Sequence, residues 1–180
     1  MESDANKRNS GILSLGNVPW GSHFCQFYET KDDLLDILIP YFKAGLENNE
    51  LCVWVLSDFL TRQDALKAIN KNIPYSLGRL ALGHIEIVHY LDIYFQNGNF
   101  SRERALGIWA QKYKEALARG FAGLRVSGDA CWLESLQDWN DIAVYEADVN
   151  SAIGGMNFMA LCTYSLERCG SDHIVDVMRD

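Results

Sequence analysis

The sequence lacks any C-x-x-C pair, and its five cysteines, at 25, 52, 131, 162 and 169, are odd in number. That pattern excludes a complete disulfide framework and a zinc ribbon, and free thiols of this kind suit a reducing cytoplasm. No apolar run approaches the roughly 20 residues of a membrane-spanning helix; Leu51 to Leu56 is of strand length. The first ten residues carry no apolar stretch behind their basic pair, so they do not read as a secretory signal. Basic charge is also scarce. Sixteen Lys and Arg against 24 Asp and Glu leave a net charge of −8, and direct nucleic-acid binding, which rests on clustered cations, is not expected.

What remains is the make-up of a globular domain. A hydrophobic share of 48% over 180 residues is enough for one well-buried core. Residues 1–18 read as a flexible end and 19–180 as a single domain. The last helical pattern is unfinished at Asp180, as in a piece of a longer chain.

Apolar runs of strand length alternate with helical patterns, which predicts an α/β fold: three layers, a mostly parallel central sheet of at least five strands, and helices on both faces. The strand candidates are Ser22–Tyr28, Glu50–Ser57, His84–His89, Gly123–Ser127 and Asn157–Tyr164. Thr30 and Asp33 form a capping box ahead of Leu34, Leu38 and Phe42, and Pro40 inside that helix predicts a bend. Thr61 and Ser101 read as caps of two further helices, and another helical pattern runs from about Asp138 to Ile153. Ser171 reads as the cap of a last one. Tyr75 to Gly83 reads as a loop, and Tyr90 to Phe100 as a loop that could act as a lid.

In such a sheet ligands bind beyond the carboxyl ends of the strands. The first strand-to-helix turn, Tyr28-Glu29-Thr30, has no glycine and no lysine, so it cannot wrap a phosphate as a G-x-x-x-x-G-K-[ST] loop does. The candidate ligand-binding residues around that edge are His23, Tyr28, Glu29, Trp54, Asp58, Asp129, Trp132, Glu146 and Tyr164. Together they describe an aromatic and acidic rim, suited to a small, partly apolar molecule. Each aromatic could instead complete the core. Asp129 ends a strand where an ATPase would hold magnesium; without a phosphate loop it reads rather as orienting a polar ligand group, capping a turn or pairing with Arg125. His23 and Cys25 share a strand face about 7 Å apart. They could hold a metal or a haem iron, or His23 could be a hydrogen-bonded core residue. Cys131 reads as a thiol in the crevice or as a buried, inert one. No catalytic residue, cofactor or metal is expected.

The phrases His-Phe-Cys-Gln-Phe-Tyr-Glu-Thr-Lys-Asp-Asp-Leu from His23, Leu-Cys-Val-Trp-Val-Leu-Ser-Asp from Leu51, Leu-Arg-Val-Ser-Gly-Asp-Ala-Cys-Trp from Leu124 and Ala-Leu-Cys-Thr-Tyr from Ala160 resemble the MEDS family, the methanogen/methylotroph DcmR-type sensory domain. The resemblance spans Gly21 to Arg179. It implies a RecA/KaiC-like fold without a working phosphate loop, in an archaeal or bacterial signalling protein. It further implies sensing of small hydrocarbon derivatives, such as methylated or halogenated one-carbon compounds. The partners implied are a small organic ligand and an output domain such as a histidine kinase or a DNA-binding module. Two other readings stand beside it: a residual nucleotide-binding enzyme using Asp129 or Glu146, and a homodimerising interaction module without a ligand.

Overall fold

The computed structural model describes residues 6–133 and 136–169. A hairpin of β1 (Lys7–Asn9) and β2 (Asn17–Pro19) precedes β3 (His23–Tyr28), α1 (Lys31–Glu47) and β4 (Glu50–Leu56). Next come α2 (Arg62–Asn72), α3 (Ser76–Ala81), β5 (Ile85–His89), α4 (Tyr90–Tyr94) and a second hairpin of β6 (Phe95–Gln96) and β7 (Asn99–Phe100). The described chain then continues through α5 (Arg102–Ala118), β8 (Gly123–Asp129), α6 (Leu136–Ile153) and β9 (Phe158–Ser165).

Among the described residues, five parallel strands form the central sheet in the order β3-β9-β8-β4-β5. Strands β4 and β8 are buried along their whole length, as expected of central parallel strands covered on both faces. On one face, Leu34, Leu38 and Phe42 of α1 and Ala65 and Ile69 of α2 pack on Trp54, Met159 and Leu161. On the other, Trp109 of α5 and Ile142, Tyr145 and Val149 of α6 pack on Val53, Val126 and Ala160. The α/β, three-layer expectation therefore holds. Thr30 accepts from the N–H of Asp33 in a complete capping box, and Thr61 and Ser101 cap α2 and α5.

The chain order places a switch point in the middle of the sheet. The neighbours β4 and β8 send their following helices, α2 and α6, to opposite faces. Their loops part, and a crevice opens between them.

Several sequence expectations need correction. The flexible end expected over residues 1–18 is, from Lys7 onward, the β1–β2 hairpin and the turn that joins it. Arg125, fully buried, holds that segment down: its guanidinium donates to the carbonyls of Asn9, Ser10 and Tyr41 and to both carboxylate oxygens of Glu50. Arg125 is thus paired with Glu50 and not with Asp129, which lies four residues, about 13 Å, further along β8. Its five N–H groups are all used. The stretch expected to be a loop, Tyr90 to Phe100, forms α4 and the β6–β7 hairpin, turned by Asn97 and Gly98 at positive φ. An Asn-Gly pair supplies the two left-handed residues that such a turn requires. Tyr75–Gly83 contains α3. The helix expected after Ser171 lies outside the described residues.

Candidate functional site

A cleft of about 440 Å³ lies at the switch point, lined by Asp58, Phe59, Tyr90, Phe95, Cys131, Trp132 and Arg168. These residues follow β4, β5, β8 and β9, so four strand ends converge there. The volume is within the range of about 300–1,000 Å³ usual for small-molecule sites.

Trp132 is the centre of the aromatic wall. Its ring lies 5.8 Å from Tyr90 in parallel orientation, 5.3 Å from Phe95 edge-on and 5.6 Å from Phe100. Tyr94 backs it at 5.8 Å, and the hydroxyl of Tyr94 sits against Gly128, where a β carbon would collide with it. The indole Nε1 of Trp132 is buried and has no hydrogen-bond partner within the described residues. A buried N–H without an acceptor costs about 1–3 kcal/mol, and few native groups are left so. At the rim, Asp58 is exposed and accepts from Tyr90 Oη, with His89 Nε2 at 3.1 Å. Arg168 contributes the opposite charge to the same lining.

Below the cleft Asp129 is buried and accepts from the hydroxyls of Tyr28 (2.8 Å), Ser57 and Thr163 (3.3 Å). Burial pushes its carboxyl up to about 6, against the lowering effect of the hydrogen bonds from Ser57, Tyr28 and Thr163. Burial and then the nearby Asp129 charge raise the Tyr28 phenol as well. Cys131 is also buried, and burial, followed by Asp129, raises its thiol pKa. The thiolate that a nucleophile needs is disfavoured there, so the inert reading of Cys131 is the one the structure supports.

The first strand-to-helix turn has no anion cradle. Thr30 and Asp33 close the N-terminus of α1 on each other, Asp33 also accepts from the N–H of Glu29, and Asp32 adds a second carboxylate in the first turn. The N–H groups that would face a phosphate meet a carboxylate instead. Glu29 itself is exposed and outside the cleft wall.

The remaining candidates separate. Trp54 is a core residue at 1% exposure, stacked on Phe42, because every position of a central parallel strand is buried on one face or the other. His23, Glu146 and Tyr164 meet on the α6 face: Tyr164 donates to Glu146 Oε1 (3.0 Å), Glu146 Oε2 lies 2.9 Å from His23 Nε2, and Asn150 Oδ1 lies 2.9 Å from His23 Nδ1. Burial works against the protonated His23 ring, and the hydrogen bond and charge of Glu146 overcome it, so its pKa rises. The third neighbour of His23 is Cys162 Sγ at 3.3 Å, not Cys25. Among the described residues, His23, Glu146 and Cys162 are the group whose metal-ligating atoms converge.

Of the nine candidates, then, Asp58 and Trp132 line the cleft, Asp129 and Tyr28 lie beneath it, His23, Glu146 and Tyr164 form a second cluster, and Glu29 and Trp54 belong to neither. Sequence reasoning did not single out Phe59 or Arg168. Phe59 follows Asp58 at a strand end, which is a usable signal; Arg168 lies three residues beyond β9 and carries none.

The fold has solved relatives. The KaiC-like protein PH0186 from Pyrococcus horikoshii OT3 superposes with a TM-score of 0.65 at 15% identity, over 96% of this chain and 77% of that chain. The flagellar accessory protein FlaH from Methanocaldococcus jannaschii gives 0.58 at 13% identity, over 97% and 76%. At such identities the likeness concerns the fold, which is that of KaiC-like proteins. No curated protein matches the chain in sequence. The profile of one sensory-domain family matches residues 22–180, nearly all of the five-stranded domain, and the chain therefore belongs to MEDS, the methanogen/methylotroph, DcmR sensory domain family.

Proposed function

We propose that this sensory domain binds a small organic molecule, a hydrocarbon derivative, in the cleft between the ends of β4 and β8, and passes the change to an attached output domain such as a histidine kinase or a DNA-binding module. The observation that carries this reading is the orphaned indole N–H of Trp132 within a wall of aromatic rings. The rings offer apolar burial, and a ligand with one acceptor atom would give that N–H the hydrogen bond that no described residue supplies. The carboxylate-capped start of α1 disfavours a triphosphate in the place where the fold would seat one. No catalytic role is assigned to Asp129, whose acceptor sites face three hydroxyls.

Signalling needs a ligand that prefers one of two conformations. The α4 and β6–β7 segment supplies Tyr90 and Phe95 to the cleft from one continuous stretch, so a ligand that repositions Trp132 also moves this segment. Calorimetry and thermal-shift measurements with methylated and halogenated one-carbon compounds, larger hydrocarbon derivatives and Mg-ATP test the proposal. Saturable binding of an organic compound, weakened by Trp132→Ala, supports it. Binding of ATP alone would overturn it.

A further inference from the structure

We infer that His23, Glu146 and Cys162 bind a borderline-soft divalent cation, Zn²⁺ foremost, at a site distinct from the cleft. The inference does not depend on what the cleft binds.

Three donor atoms of different kinds, His23 Nε2, a Glu146 carboxylate oxygen and Cys162 Sγ, all lie within 4.8 Å of one another. Nitrogen, oxygen and sulfur together are a set that Zn²⁺ takes readily. With bonds of about 2.0–2.3 Å, tetrahedral zinc needs its ligand atoms about 3.3–3.8 Å apart. The ring nitrogen and the carboxylate oxygen stand 2.9 Å apart and the ring nitrogen and the sulfur 3.3 Å apart, so these two pairs need a shift of only a few tenths of an ångström, and the carboxylate oxygen and the sulfur lie within 4.8 Å of each other.

The surroundings orient the donors. Asn150 Oδ1 accepts from Nδ1–H of His23, which leaves the Nε2 lone pair directed at Glu146 and Cys162. Tyr164 Oη donates to Glu146 Oε1 and leaves Oε2 toward the ring. Hydrogen bonds of this sort from outside the ligand set are what fix tautomer and rotamer in metal centres. Three lone-pair atoms thus converge where at least one proton or cation must sit. A doubly charged ion with one thiolate, one carboxylate and a neutral imidazole gives a complex of zero net charge, which suits side chains that are only 7% and 10% exposed at His23 and Glu146. On binding, the proton between ring and carboxylate and the thiol proton leave to solvent.

Three protein ligands leave a fourth position open. A void of about 10 Å³ is lined by Glu146, Cys162 and Tyr145 and reaches Trp132, and this is about the space one water molecule needs. His23 is on an edge strand, so the path from solvent is short.

The test uses the chain as it stands, reduced and freed of metal. Titration with Zn²⁺ alone should give one site per chain, and Co²⁺ in its place should show a thiolate-to-metal charge-transfer band. His23→Gln and Cys162→Ser should each weaken Zn²⁺ binding by at least about tenfold and reduce or abolish the band. Cys25→Ser, a neighbouring exposed thiol outside the trio, should leave both intact. Circular dichroism of each variant controls for folding, and if Cys162→Ser does not fold, His23→Gln decides. Equal binding by wild type and His23→Gln, no cobalt–thiolate band, or a band that depends on Cys25 would overturn the inference.

Discussion

Tyr28, at the end of the edge strand β3, donates its phenol proton to Asp129 at the end of β8, 2.8 Å away and across the intervening strand β9. The bond ties together the turn where this fold would seat a phosphate and the carboxylate beneath the cleft. Each group already has the other as a hydrogen-bond partner.

The buried carboxyl gives the first prediction. Its pKa rises from an ordinary 3.8 to about 6 on folding, chiefly through burial. The folded state then keeps a proton that the unfolded chain has released, so this contribution to stability is complete below about pH 4 and is lost as the pH rises through about 6. A rise of that size corresponds to about 2–3 kcal/mol. Asp129→Asn keeps the shape without the titration, and the three hydroxyls can turn to match an amide. Denaturant midpoints from pH 4 to pH 7 should therefore fall more steeply for wild type than for the variant; parallel profiles would contradict the assignment.

Breaking the Glu50–Arg125 pair should be costly. Both side chains are fully shielded from water. Removing one partner of a buried pair strands the other charge, at about 3–5 kcal/mol. Arg125→Met should lose that much stability in urea denaturation and expose residues 7–19 to proteolysis, since the carbonyls of Asn9 and Ser10 lose their donor.

Two glycines in helix interiors should respond in opposite directions. Helix propensity alone favours alanine at either by about 1 kcal/mol. At Gly107 a β carbon meets nothing within 4 Å, so Gly107→Ala should stabilise by about that amount. At Gly45 the same atom would lie 2.6 Å from Arg125 Cδ and 2.9 Å from Cys52 Sγ. Arg125 is held by five hydrogen bonds and cannot retreat, so Gly45→Ala should destabilise by about 1–3 kcal/mol. Thermal midpoints of the two variants check this directly.

Much of the fold was legible because its signals are local. Glu50–Leu56 reads as a buried strand from one apolar run, and Thr30 with Asp33 marks a helix start from four residues. The hairpin at Lys7–Pro19 was not legible, since KRN and NVP lack apolar alternation and the segment is held by Arg125, over a hundred residues away. Trp54 shows the converse limit. A central strand presents both of its faces to a core, and sequence alone does not tell a buried ring from one at a ligand. The trio of His23, Glu146 and Cys162 depends on the parallel register that sets His23 against Ala160 and Cys25 against Cys162, and on α6 crossing above them. Spacing along the chain encodes neither.

The central claim is that Trp132 presents its indole N–H to an organic ligand in the cleft. Trp132→Phe keeps an aromatic ring and removes only the orphaned donor with part of the ring, so the ligand-free protein should be no less stable than wild type beyond the loss of ring packing. The decisive measurement is calorimetric titration of wild type and Trp132→Phe with the same organic compound: the account predicts an affinity about five- to tenfold weaker in the variant, and unchanged affinity would contradict it.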